Sequence, residues 1–66
     1  MTITVNGKTR ELDESLTLTE LVKSIGLSEK HVVIEYNLEP LERERYESTR
    51  VKDGDNIEIV TMMAGG

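Results

Sequence analysis

Ile3-Thr4-Val5-Asn6-Gly7-Lys8-Thr9-Arg10-Glu11-Leu12 is the stretch from which the fold can be read. Asn6-Gly7 separates two alternating segments. Asn-Gly is the strongest short hairpin signal, because a type I′ turn needs positive φ at both central residues. The chain therefore opens with a β-hairpin, Ile3 and Val5 on one side and Thr2 and Thr4 on the other. Such an apolar face needs a cover, and the sequence supplies one. Thr17-Leu18-Thr19-Glu20 is a capping box, in which the Thr17 hydroxyl accepts from the Glu20 N–H and the Glu20 carboxylate accepts from the Thr17 N–H. Leu18, Leu21, Val22 and Ile25 follow at i, i+3, i+4 and i+7, an amphipathic stripe. Gly26 stands where a helix ends in a left-handed residue. The spacing predicts a helix over Leu18 to Ile25.

Beyond the helix, His31-Val32-Val33-Ile34-Glu35-Tyr36 is rich in β-branched residues and reads as a strand. Asn37 to Pro40 turns the chain, and Pro40 argues against a central strand there. Leu41 to Tyr46 has the spacing of one short helical turn. Asp53-Gly54-Asp55 is a tight turn ahead of a last strand, Ile57 to Met62. A lone helix must bury its stripe on one face of a sheet. The first and last strands can then lie parallel at the centre, with the helix in the crossover between them. The predicted fold is α+β: a ubiquitin-like β-grasp with a mixed four- to five-stranded sheet and one main helix on one face. Residues 1–63 form one domain in this reading, followed by a flexible Ala64-Gly65-Gly66 tail. The expected core is Ile3, Val5, Leu12, Leu18, Leu21, Val22, Ile25, Ile34, Tyr36, Leu41, Val51, Ile57 and Ile59.

Composition narrows the function. A chain of 66 residues with no cysteine has neither room to enclose a large pocket nor a disulfide to staple it. One histidine, His31, cannot build a tetrahedral zinc site. Thirteen acidic against eight basic residues give a net charge of −5, the wrong sign for binding phosphates. With two tyrosines as its only aromatics, the chain lacks a stacking platform for bases. Nucleic acid is thus not an expected partner, whereas a basic protein surface is. No segment approaches the roughly 20 apolar residues of a membrane span, and no leader pattern opens the chain. A cytoplasmic protein with no membrane partner is expected.

The candidates for chemistry are few. Asp53 and Asp55 flank a glycine and read as turn residues rather than an acid–base pair. His31 reads as a surface residue, and Glu42-Arg43-Glu44-Arg45 as a solvated face. The C-terminal end is different. If Ile57 and Ile59 point to the helix, Glu58, Val60 and Met62 point away, and Val33 and Glu35 share that outer face. Val33, Val60 and Met62, continued by Met63, would form an apolar patch with no core to cover, the mark of a partner-binding surface. Ala64, Gly65 and Gly66 lack bulk and could thread a narrow channel in a partner's active site. The Gly66 carboxylate is then the expected working group, open to activation by adenylation. No catalytic residue, no metal and no cofactor of the chain's own are expected.

These residues together resemble the ubiquitin-like sulfur carriers, and most closely the ThiS family of thiamine (thiazole) biosynthesis. Ile3-Thr4-Val5-Asn6-Gly7, the Leu18 to Ile25 helix, Val33-Ile34-Glu35-Tyr36-Asn37, Asp53-Gly54-Asp55-Asn56-Ile57-Glu58-Ile59-Val60 and Ala64-Gly65-Gly66 carry the resemblance. It implies a protein co-substrate rather than an enzyme. An E1-like adenylating enzyme of the ThiF type would adenylate Gly66 with ATP and Mg. A persulfide derived from a cysteine desulfurase would convert the adenylate to a thiocarboxylate. A thiazole synthase of the ThiG type would take up that sulfur. The small subunit of molybdopterin synthase looks similar but usually carries proline before its terminal glycines, where this chain has Val60-Thr61-Met62-Met63. A carrier for tRNA thiolation has a similar tail. A non-covalent ubiquitin-like regulatory module, or a modifier joined to lysines, is the alternative from another class.

Overall fold

A computed structural model describes residues 1–62. The domain boundary expected after residue 63 lies outside the described residues. Five strands form one sheet: β1 (Thr2–Val5), β2 (Lys8–Glu11), β3 (Val32–Tyr36), β4 (Glu39–Pro40) and β5 (Asn56–Thr61), in the order β2-β1-β5-β3-β4. The β1–β5 pair is parallel, and every other pair is antiparallel. The helix α1 (Leu18–Ser24) lies in the crossover between β1 and β5. This is the ubiquitin-like β-grasp that the hairpin and the helical stripe predicted.

The local chemistry places each element. Asn6 and Gly7 adopt φ of 51° and 80°, the type I′ signature, and set β1 and β2 in register from Val5↔Lys8 to Thr2↔Glu11. Both hydrogen bonds of the Thr17–Glu20 capping box form. The helix stops one residue earlier than expected, at Ser24, with Ile25 as its cap. Gly26, at φ 86°, closes a Schellman motif: its N–H donates to the Lys23 carbonyl and the Leu27 N–H reaches back to Val22.

Two strand boundaries need correction, and the turn at Pro40 gains an edge strand while staying, as expected, out of the sheet's centre. His31 belongs to a 3₁₀ turn, Glu29–His31, and β3 starts at Val32. The last strand runs from Asn56 to Thr61, one residue earlier than expected at both ends. Pro40 does enter the sheet, in the two-residue edge strand β4. An edge position tolerates proline because its missing N–H has no ladder to serve. Asn37 and Leu38, at φ 52° and 73°, make the tight turn that returns the chain there.

The core lies between α1 and the inner sheet face. Ile3, Val5, Leu18, Leu21, Val22, Ile34, Val51, Ile57 and Ile59 are buried as expected. Leu12, Ile25, Tyr36 and Leu41 are only partly buried and pack on its margin. Two buried hydrophobic side chains lie outside the expected core. Val32 opens β3 on the inner face, and Tyr46 is 2 % exposed. The Tyr46 hydroxyl accepts a 2.9 Å hydrogen bond from the buried Ile34 N–H. That N–H faces the edge where β4 ends at Pro40, so a side chain takes the place of a missing strand partner.

Candidate functional site

Alternation along β3 and β5 divides their side chains cleanly between the two faces. Ile34, Ile57 and Ile59 go to the core, while Val33, Glu35, Glu58 and Val60 go outward. The antiparallel register places Val33 directly opposite Val60 and Glu35 opposite Glu58. Met62, just past β5, still donates its N–H to the His31 carbonyl at 2.8 Å and so prolongs the ladder by one step. Val33, Val60 and Met62 are 41 %, 59 % and 44 % exposed, three large apolar side chains outside the core. Val33, Val60 and Met62 of the predicted patch are thus brought together. Met63, Ala64, Gly65 and Gly66 lie outside the described residues.

Two polar side chains hold β5 in place, and sequence reasoning had assigned neither this role. Asn6 was read only as a turn residue. Its amide also pairs with the Ile59 backbone: the Ile59 N–H donates to Asn6 Oδ1 at 2.7 Å, and Asn6 Nδ2 donates to the Ile59 carbonyl at 3.2 Å. The side chain thereby continues the β1–β5 pairing beyond the point where β1 turns away. Asp55 holds the other end of β5. It is buried, and it accepts from the Tyr36 hydroxyl at 2.5 Å, the Lys52 N–H at 2.7 Å and Asn37 Nδ2 at 3.2 Å.

This network perturbs both acids. Burial opposes ionisation of Asp55, yet its hydrogen bonds from Tyr36, Lys52 and Asn37 leave the carboxyl below its usual range. Burial, followed by the hydrogen bond to Asp55 and the charge of that carboxylate, pushes the Tyr36 hydroxyl up to about 12. Asp53 accepts from the Thr2 N–H at 2.7 Å. The Asp-Gly-Asp segment is therefore turn chemistry, as its spacing predicted, with strand-anchoring bonds that the spacing does not show.

No constellation for catalysis gathers among the described residues. No group of three or more His, Cys, Asp or Glu side chains that could hold a metal is found there. An open groove beside the start of β3 is lined by Leu27, Ser28, His31, Val32, Thr61 and Met62, none of them a carboxylate. Among the described residues, no helix is long and apolar enough to cross a membrane. Fold and surface together define a small β-grasp protein with three exposed apolar side chains, Val33, Val60 and Met62, gathered beside β3 and β5.

Comparison with known proteins gives the family. The ThiS family model matches residues 3–66. The chain is 36% identical over 63 residues to the sulfur carrier protein ThiS of Bacillus subtilis, covering 94% of this chain and 96% of that one. A crystal structure of the thiamine biosynthesis protein ThiS from Geobacter metallireducens superposes with a TM-score of 0.83 at 45% identity, covering all of both chains. A thiazole synthase of Paramagnetospirillum magneticum is 35% identical over 66 residues; the chain spans a fifth of that protein's length. The chain belongs to the ThiS family of sulfur carriers.

Proposed function

We propose that this chain carries sulfur as a thiocarboxylate on Gly66 and delivers it for thiazole formation in thiamine biosynthesis. One observation supports this above others: the family match extends through Gly65-Gly66, on the segment that continues directly from β5. A carboxylate is a poor acyl donor because its oxygen is a poor leaving group. In the proposed sequence, a Gly66 oxygen attacks the α-phosphorus of ATP on an E1-like, ThiF-type enzyme, and pyrophosphate leaves. The terminal sulfur of a persulfide then attacks the acyl carbon and AMP departs. A thiol cleaves the resulting S–S bond, supplying two electrons and leaving the thiocarboxylate. The adenylating enzyme furnishes the Mg²⁺ and phosphate clamp; this chain furnishes the acyl group and a surface that positions it.

Val33, Val60 and Met62, with Met63 beyond them, form the docking patch in this reading. Ala64, Gly65 and Gly66 enter the partner's active site, since residues with little or no side chain pass where bulkier ones clash. A ThiG-type thiazole synthase is the proposed acceptor, and the match to a thiazole synthase supports that choice over molybdopterin or tRNA thiolation. The cytoplasm, where ATP and persulfide donors meet, is the proposed location. The test is a short extension after Gly66. A carrier so blocked releases no pyrophosphate with its adenylating enzyme. A blocked chain that still supports thiazole formation contradicts the proposal and favours a non-covalent module.

A further inference from the structure

The docking patch has a charged neighbour that its apolar residues do not explain. Glu35 and Glu58 face each other directly across β3 and β5, one step along from the Val33–Val60 pair and on the same outer face. Side chains at directly opposed positions lie about 5 Å apart, and like charges so placed oppose strand pairing. Glu35 is exposed and Glu58 half-buried. Among the described residues neither carboxylate takes part in a side-chain hydrogen bond, unlike Asp55 with its three donors. Among the described residues the sheet therefore carries, on its two adjacent strands β3 and β5, a facing carboxylate pair with no hydrogen-bond donor.

Resting on the docking role proposed above, we infer that Glu35 and Glu58 together receive an arginine of the adenylating enzyme, whose apolar side chains cover Val33, Val60 and Met62. Two carboxylates with no third ligand make a poor metal site, and no larger ligand cluster surrounds them among the described residues. A planar guanidinium suits the pair, because its forked N–H groups can serve two carboxylates at once. A second copy of this chain does not suit it: self-pairing would bring four carboxylates together on a chain of net charge −5. Chain length ties the surface to the adenylating site. Gly66 lies four residues beyond Met62, a reach of at most about 14 Å when extended. A protein seated on the patch therefore has its active site within that distance of Met62. Apolar contacts provide the affinity in this arrangement, and the carboxylate pair selects the partner and fixes its register.

The experiment compares three variants for binding to the purified cognate adenylating enzyme, by calorimetry at low and moderate salt. E35Q/E58Q is expected to weaken binding about tenfold at low salt and to flatten its salt dependence. The same variant is expected to melt a few degrees higher, about 1–4 °C, because the repulsion is gone. E42Q/E44Q makes an equal change in net charge away from the patch and is expected to bind nearly as the parent does. Unchanged affinity in E35Q/E58Q, or equal weakening in E42Q/E44Q, overturns the inference. Val60→Asp tests the docking surface separately. If it binds normally, the patch itself is wrong; if it fails while E35Q/E58Q binds normally, only the carboxylate pair is misassigned.

Discussion

Tyr46→Phe isolates a single buried hydrogen bond on which the outer face depends. The ring stays and the core remains filled, so the change removes one oxygen. The Ile34 N–H that donated to it at 2.9 Å is left with no partner, in a residue with no exposed surface. β4 cannot supply a replacement, because it ends at Pro40. An orphaned buried donor costs about 1–3 kcal/mol. For a domain near this size, 1 kcal/mol moves the melting midpoint by about 4–8 °C, so a 2 kcal/mol loss lowers it by about 8–16 °C. Circular dichroism melts and urea titrations measure the loss, and amide exchange locates it. The Ile34 amide should lose protection out of proportion to Leu21 and Val22 in the helix. Because Val33 and Glu35 flank Ile34, the same change should loosen the strand that bears the patch. A variant within about 0.5 kcal/mol of the parent, with Ile34 still protected, would refute the claim that Tyr46 substitutes for a strand.

Other outcomes follow from the same geometry. Asn6→Gly keeps the positive φ but removes both bonds to Ile59; at about 0.5–1.5 kcal/mol per bond it should cost 1–3 kcal/mol, and an unchanged urea midpoint would contradict the clamp. Asp55, held below its usual range, contributes stability that is complete above about pH 4 and fades as pH falls through its lowered value. Asp55→Asn should therefore fall furthest behind the parent at neutral pH and approach it in acid, as read from unfolding midpoints. Tyr36, raised to about 12, contributes stability that is complete below about pH 10 and is lost from there towards 12. Tyr36→Phe should lack that alkaline loss, and a parent-minus-variant difference that stays flat from pH 9 to 12 would contradict it. Val60→Asp alters a residue 59 % exposed; it should cost less than about 1 kcal/mol in stability. Pyrophosphate release should nevertheless fall at least tenfold, and an unchanged rate would remove Val60 from the docking face.

Signals confined to a few neighbouring residues were readable in the sequence. Asn6-Gly7 and Thr17 to Glu20 each encode their own hydrogen bonds, and the hairpin and capping box formed as read. Period-two alternation sorted Val33, Glu35, Glu58 and Val60 to one face before any tertiary contact was known. What escaped was long-range. Tyr46 sits in a charged segment, and nothing local shows that its hydroxyl will meet Ile34, twelve residues earlier. Asn6 meets Ile59 across 53 residues; its turn role was a complete local explanation that concealed the second one. Pro40 was judged by its missing N–H, which excludes a central strand but permits the edge position it takes. Val32 is the exception: the alternation that turns Ile34 and Tyr36 inward turns Val32 inward too, so its burial is legible locally although the expected core omits it. The paired carboxylates required the exact register of β3 against β5, which alternation alone does not fix.

Intact-protein mass spectrometry reads the atoms on Gly66 directly. The chain is incubated with ATP, its adenylating enzyme and a persulfide donor, then fragmented. A sulfur-carrying Gly66 shows a mass gain equal to replacing one oxygen by sulfur, confined to the C-terminal fragment and dependent on ATP. An unchanged mass with the cognate enzymes, or sulfur found on any other residue, would contradict it.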